Sequence, residues 1–402
     1  MIHNTKKRVA LTGGAAAAEA LRQIDPDVMP VYPITPQTPI IETFAKFQAE
    51  ALVGTEIIPV ESEHSMMSAC VGASAAGART VTATSSQGLA LMNEVLYIAS
   101  GLRLPILMLV SARALSAPIN IHCDHSDVMG ARDAGWIQIF SENVQEAYDN
   151  TLIGMKLAEI MKLPVMVVMD GFITSHSVEN LEILPDNIVK KFVGEYQPEK
   201  YLLNISDPVT FGPVALPNSY FEFKKGQEEA MQNVFGEYQK IAAEFKRISG
   251  RHYDLLESYR VATADYVIVA AGSTAGTIKV AADNLRSQGI KAGLVKIKLF
   301  RPFPYKEIAR VIKNAKGIAV LDRALSPGTH PPIYQEVLNS MYQVSSINKN
   351  KSYFIHDTKY FIQSYVYGLG GREIFQKDIE EVFEDLADGD KAGEIRYIGN
   401  KN

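Results

Sequence analysis

The sequence predicts an α/β protein built on a doubly wound, largely parallel sheet, and three observations carry that expectation. Short, almost wholly apolar runs such as "LPILMLV" and "LPVMVVM" alternate with helical patterns through the first half of the chain. Strands covered by helices on both faces read in this continuous way, without the polar alternation of a half-exposed sheet. At 402 residues with 47% hydrophobic content, the chain is long enough to bury two cores. A second series of β-like and helical runs begins at "ADYVIVAAGS" (264–273).

Taken in order, "RVALTG" leads into the helical "AAAAEALRQI", and "VMPVYPIT" into "PIIETFAKFQAEALV". "EIIPVESE" leads into "HSMMSACVGASAAG", and "RTVTATSS" into "QGLALMNEVLYIASGL". The runs "LPILMLVSA" and "IQIF", the helix "NVQEAYDNTLIGMKLAEIMK" and "LPVMVVMDGF" complete the series. Ligands of such sheets sit at the carboxyl ends of the strands. Between about residues 176 and 255 the pattern loosens into an irregular arm with one polar helix, "MQNVFGEYQKIAAEFKRI", ending near Gly250. The second unit then runs through "TAGTIKVAADNLRSQG", with Gly289 as a helix stop, "KAGLVKIKLF", the break "RPFP", a helix and "KGIAVLDR". It closes with an amphipathic helix and an acidic tail, "IFQKDIEEVFEDLADGDKAGE". Two domains, 1–255 and 256–402, are expected.

Bulk properties exclude several classes. A net charge of −5 shows no basic excess for nucleic acid. No apolar run approaches the ~20 residues of a membrane span, and "MIHNTKKRVALTGG" is no signal peptide, so a cytoplasmic location is expected. Cys70 and Cys123 are the only cysteines. They cannot ligate an iron–sulfur cluster or a structural zinc by thiolate alone.

Several segments carry candidate chemistry. "VYPITPQTPIIE" (31–42) brackets Thr35 with Pro33 and Pro36, while Pro39 suits a helix start. "ALTGGAAAAEA" reads as a glycine turn with close helix packing rather than as a dinucleotide fingerprint, which needs G-x-G-x-x-G and a later acid. "AAGSTAG" and "YGLGGR" tempt in the same way and are equally weak.

In "VESEHS", Glu61 and Glu63 share a face if the chain stays extended. They are either a solvated strand exit or a carboxylate able to share a proton with a ligand nitrogen. Small residues after them (Ser68, Ala69, Gly72, Ala73) let another surface approach. In "TATSSQG", Ser85 or Ser86 suits a helix N-cap at a place that also receives anions. Arg113 follows directly on "LPILMLVSA", placed to grip a small carboxylate by two parallel hydrogen bonds. His122, Asp124, His125 and Asp127 read better as a loop held by their own hydrogen bonds than as a metal site, so no metal is assigned to this chain. Arg301 stands in "LFRPFP", a rigid turn.

Together, "YPITPQT", "ESEHS", "TATSSQGL", "RALSAP" with "DHSD", "RDAGW", "DGF" and "LFRPFP" occur in the order seen in the α subunit of pyruvate:ferredoxin oxidoreductase, which this chain resembles from about residue 8 to 330, with "GLGGR" a further echo. The resemblance implies a pyrimidine-type thiamine diphosphate domain followed by a transketolase C-terminal-like domain. No G-D-G motif with a following asparagine pair is present, "DGD" (388–390) being a look-alike.

The resemblance therefore implies that β, γ and δ subunits complete the enzyme, supplying Mg²⁺ and diphosphate binding and [4Fe–4S] clusters in a dimer of heteromers. CoA is the co-substrate and ferredoxin the electron acceptor. Glu63 matches the family glutamate that hydrogen-bonds the cofactor's pyrimidine N1′, and Ser86 and Gln87 lie in the cofactor-binding stretch. Thr35 and Arg113 match residues that orient pyruvate. Relatives acting on 2-oxobutyrate, branched-chain 2-oxoacids, 2-oxoglutarate or oxalate share part of the motif set. Outside this reading, a regulatory subunit without chemistry and a hydrolase built on the His122–Asp127 loop are the rival classes.

Overall fold

The computed structural model describes residues 7–347, 361–389 and 394–401. Strand β1 (Lys7–Thr12) runs straight into helix α1 (Gly13–Ile24), where the Thr12 hydroxyl accepts from Ala15 N at 3.2 Å and caps the first turn. The expected glycine turn is thus a helix start. Gly13 is needed because a Cβ there would lie 2.3 Å from the Thr174 carbonyl oxygen. Strand β1 also leaves the main sheet and pairs antiparallel with β8 (Val178–Ile183), inside the region expected to be irregular.

The main sheet is formed by β2 (Val28–Val31), β3 (Glu56–Pro59), β4 (Thr80–Thr84), β5 (Ile106–Ala112), β6 (Ile137–Ser141) and β7 (Val165–Asp170). These six are parallel, in the order β6-β7-β5-β4-β2-β3. Every residue of β4 to β7 is buried, the apolar runs of β5 and β7 and equally the threonines of β4 and Gln138 and Ser141 of β6, as strands covered on both faces are. Helices α2 (Thr38–Ala49), α3 (Glu63–Ala76), α4 (Ser86–Leu91), α5 (Asn93–Gly101), α6 (Ser126–Gly130) and α7 (Val144–Met161) make the crossovers. Pro39 lies in the first turn of α2, as predicted.

After α8 (Ile173–His176) and β8 come α9 (Asp186–Val193) and an irregular stretch up to α10 (Tyr220–Ser249). The predicted polar helix is therefore longer than its apolar pattern indicated, and it ends at Gly250 in the left-handed conformation.

The second sheet contains β9 (Leu256–Tyr259), β10 (Tyr266–Ala271), β11 (Ala292–Ile297), β13 (Gly317–Asp322), β14 (Phe361–Val366) and β15 (Arg396–Tyr397), in the order β15-β14-β13-β10-β11-β9. All are parallel except the edge strand β9. Helices α11 (Thr274–Ser287), α12 (Tyr305–Ile312), α13 (Pro332–Ile347) and α14 (Gln376–Asp388) cover it. Gly289 follows α11 with φ +92°, the expected stop. The expected acidic tail falls in part on residues 390–393, outside the described residues.

The run "KAGLVKIKLF" does not remain one strand. It breaks at Lys298, and β12 (Leu299–Arg301) crosses to pair antiparallel with β6, becoming the seventh strand of the first sheet. Just before the break, the Lys296 ammonium is buried among Glu142, Glu146 (2.8 Å) and Glu257 (2.7 Å). A shared apolar core including Met108, Phe140, Val269, Phe300 and Val320 joins the two units.

Candidate active site

Four neighbouring strands, β5, β4, β2 and β3, deliver their carboxyl ends to one edge of the first sheet. After β2 the chain turns at Thr35. Thr35 is exposed, Pro36 behind it is buried, and the Thr35 carbonyl accepts a hydrogen bond from Arg113 Nη1 at 2.9 Å. Arg113 follows β5 directly and is only 6% exposed. Its Nε donates to the Asn120 carbonyl at 2.9 Å, and among the described residues Nη2 has no acceptor. Burial lowers its pKa, and the nearby Asp127 opposes that shift. The guanidinium is thus aimed by two backbone carbonyls with one nitrogen left for a ligand.

Asp127 holds this edge together. Its Oδ2 accepts from Ser86 N at 2.7 Å and from Arg113 N at 3.0 Å, and its Oδ1 from Val128 N at 2.8 Å. Burial pushes its pKa up to about 7, against the pull of those three N–H groups and with a small further push from Asp124.

After β3, Glu61 and Glu63 part company. The strand ends at Pro59, Ser62 caps α3 by accepting from Ser65 N at 3.2 Å, and Glu63 becomes the first helical residue. Glu61 is exposed and takes the Ser65 hydroxyl, which lowers its pKa. The expectation of a shared face fails because the helix starts between them. Glu63 is buried, and its carboxylate has no hydrogen-bond partner among the described residues. It lies against Gly88, where a Cβ would stand 2.6 Å from Glu63 Oε1 and 2.6 Å from Thr84 Oγ1. The Thr84 hydroxyl is likewise buried without a partner.

At the end of β4, Ser85 stands at the N-cap position but donates its hydroxyl to the Ser111 carbonyl at 2.8 Å, so it does not cap. Ser86 is fully buried, and its hydroxyl reaches the Ala114 carbonyl and Gln87 Oε1. Gln87 is half-buried.

The "DGF" segment meets the same edge. Gly171 fits because a Cβ there would lie 2.5 Å from the Ala112 carbonyl and 2.8 Å from Pro36 Cγ. Asp170, which the sequence reading passed over, is fully buried and accepts from His125 Nε2 (2.8 Å), Arg323 Nη1 (2.9 Å), Ser273 N (3.0 Å) and the Ser273 hydroxyl (2.6 Å). The His125 and Arg323 charges lower its pKa despite burial. Its one sequence signal was an acid ending an apolar strand.

The His122–Asp127 loop is held by hydrogen bonds of its Asp and His residues, most of them to groups outside the loop. His125 N donates to the Arg323 carbonyl, His125 Nε2 meets Asp170, and Asp124 and Asp127 accept from Gly370 N, Ser86 N and Arg113 N. Cys123, His125 and Asp170 lie close enough to share an ion, but Arg323 already occupies Asp170. Arg301 does not join the edge: its Nη2 pairs with Glu336 Oε1 at 2.6 Å and its Nε donates to the Arg132 carbonyl.

These groups define a class: a two-unit α/β protein whose strand ends present an arginine aimed by two backbone carbonyls and a buried carboxylate without a partner among the described residues. Residues 19–243 match the family described as "Pyruvate flavodoxin/ferredoxin oxidoreductase, thiamine diP-bdg". Residues 264–379 match "Pyruvate:ferredoxin oxidoreductase core domain II". A pyruvate synthase subunit PorA of Thermotoga maritima is 53% identical over 98% of each chain. That of Methanocaldococcus jannaschii is 46% identical over 92% of this chain and 93% of its own. A ketoisovalerate oxidoreductase subunit VorA of Pyrococcus furiosus is 40% identical over 96% of each.

Among solved structures, a 2-oxoglutarate:ferredoxin oxidoreductase from Magnetococcus marinus superposes with TM-score 0.68 at 21% identity, over 95% of this chain and 65% of that one. At that identity the match speaks for the fold alone. The chain belongs to the pyruvate:ferredoxin oxidoreductase family, as a subunit of a multisubunit 2-oxoacid oxidoreductase.

Proposed function

We propose that this chain is the α subunit of a pyruvate:ferredoxin oxidoreductase, catalysing with its partners the CoA-dependent, reversible oxidation of pyruvate to acetyl-CoA and CO₂ with electrons passing to ferredoxin. The carrying observation is Glu63, a buried carboxylate with no partner of its own, in a cradle that only a glycine at position 88 leaves open. Those residues fit the aminopyrimidine of thiamine diphosphate, with Gln87 beside them. Thiamine diphosphate supplies a carbon nucleophile for the 2-oxo carbon and a sink for the electrons left when CO₂ departs.

This chain's own residues supply binding and proton placement. Glu63 accepts a proton-bearing nitrogen and holds the proton at its carboxylate. Arg113 Nη2 meets the substrate carboxylate, and the Thr35 hydroxyl orients the keto acid from the facing turn. Ser86 acts from within the fold, fixing Gln87 and the loop at Ala114. Mg²⁺, the diphosphate-binding motif and [4Fe–4S] clusters are assigned to β, γ and δ subunits in a dimer of heteromers. Support for this comes from the two cysteines here, both buried.

No helix among the described residues is long and apolar enough to cross a membrane, and we place the complex in the cytoplasm. We further take residues 1–255 and 256–402 as the two domains. Pyruvate is favoured over branched-chain acids because two pyruvate synthase subunits, at 53% and 46% identity, exceed the 40% of the ketoisovalerate relative.

The test is the purified complex carrying Glu63→Gln. Pyruvate-dependent ferredoxin reduction is expected to drop by orders of magnitude with the subunits still assembled. Normal turnover would remove Glu63 from the site.

A further inference from the structure

The second α/β unit enters the site described above only through Arg323 and Ser273 at Asp170, and the "GLGGR" motif not at all; the hydrogen bonds around Arg113 connect both to it. Arg113 Nε donates to the Asn120 carbonyl at 2.9 Å. The Asn120 side chain is used at both ends: its Oδ1 accepts from His122 N at 2.7 Å, and its Nδ2 donates to the Gly370 carbonyl at 3.0 Å. The reverse bond is also present, since Gly370 N donates to Asp124 Oδ2 at 3.2 Å, and Gly371 N donates to the Cys123 carbonyl at 2.7 Å. Three bonds thus join the glycine loop to the segment that aims the arginine.

The glycines are there for closeness. A Cβ at 370 would meet Asn120 Nδ2 at 2.5 Å, and one at 371 would meet His122 Cβ at 2.3 Å. Both residues also have positive φ, +59° and +81°, which disfavours any side chain. Loop 113–125 has no helix or strand of its own to fix it. Its geometry is set by what it touches, and the acceptor of the Asn120 amide, the Gly370 carbonyl, belongs to the second unit.

We propose that Asn120 is a positioning residue for the acid grip, and that the second unit sets the direction of Arg113 through the Gly370–Asn120 contact. The inference rests on Arg113 being the carboxylate-binding group. Asn120 touches no substrate; it fixes the carbonyl that fixes the guanidinium.

The test uses the purified complex. Asn120→Asp keeps the acceptor for His122 N but turns a carboxylate oxygen toward the Gly370 carbonyl. Pyruvate kcat/KM is expected to fall about tenfold, the scale of one lost hydrogen bond, mainly through KM, with thiamine diphosphate content unchanged. Gly370→Ala approaches the same contact from the other unit and is expected to give the same split. In an Arg113→Ala background both effects should vanish, because nothing remains to be aimed. Losses that persist in that background, or wild-type KM in both variants, overturn the inference. If Arg113→Ala itself leaves kcat/KM unchanged, the role of Arg113 falls, and this inference with it.

Discussion

Gly88→Ala isolates the Glu63 cradle without touching Glu63. Position 88 lies within α4, where alanine is otherwise preferred to glycine by about 1 kcal/mol. The added Cβ would stand 2.6 Å from Glu63 Oε1, where ordinary contact begins at 3.4 Å. Thr84 Oγ1 stands equally close, at 2.6 Å, so both groups must retreat by 3.4 − 2.6 = 0.8 Å. Thr84 ends a strand that is buried along its whole length, so its hydroxyl has little room to turn away, and the Glu63 carboxylate is displaced as well. Inserting a methyl into a filled site costs about 1–3 kcal/mol. Displacing a catalytic group by about 1 Å costs about 100-fold in rate. We expect the complex to assemble, pyruvate KM to change little and kcat to fall about 100-fold in ferredoxin reduction, with weakened thiamine diphosphate binding in a titration of the apo-complex. Wild-type kcat together with wild-type cofactor affinity would refute the cradle.

Two further predictions separate structure from chemistry. Asp127 has its pKa raised by burial from 3.8 to about 7, so the folded chain holds a proton that the unfolded chain has lost between those values. Its contribution to stability is therefore full below pH 3.8 and declines as pH rises toward 7. At about 1.4 kcal/mol per tenfold change in proton binding, the decline is about 4 kcal/mol. Denaturation midpoints of wild type and Asp127→Asn, measured from pH 4 to 7.5, should converge as pH rises; parallel curves would reject the raised pKa. Arg301→Ala breaks a half-buried pair with Glu336 outside the site, and should lower the denaturation midpoint while leaving pyruvate kcat/KM unchanged. A collapse of kcat/KM there would bring Arg301 into the machinery.

The legible part of this protein is the part encoded locally. "LPILMLVSA" announced β5 and placed Arg113 at its exit, and Pro39 announced α2, because burial and fixed φ act within a few residues. The separation of Glu61 from Glu63 depends on where a helix begins, which one serine cap decides. Pairings between distant segments leave no periodicity to read. Strand β1 is drawn out of the main sheet by β8, some 170 residues on, and β12 leaves its own unit for β6. The contact between Asn120 and Gly370 spans 250 positions. Half of the site was visible as motifs, and what aims it was not.

Which side chain at this edge is left for chemistry follows from how the others are used. Seven carboxylates are buried among the described residues: Glu63, Asp124, Asp127, Glu146, Asp149, Asp170 and Asp322. Asp124 accepts from Ser126 N and Gly370 N, Asp127 from three backbone N–H groups, and Asp170 from a histidine, an arginine and a serine. Glu146 and Asp149 face lysines and an arginine, and Asp322 takes Ile333 N and Tyr334 N. Glu63 alone has none. A folded chain pairs the large majority of its buried polar groups, so a carboxylate left without a partner stands out. An acceptor left without a donor forgoes a hydrogen bond of about 0.5–1.5 kcal/mol, which a ligand that donates to Glu63 would supply. The close approach at position 88 makes the cradle intolerant of crowding, and so a glycine at 88 and a carboxylate at 63 form one device.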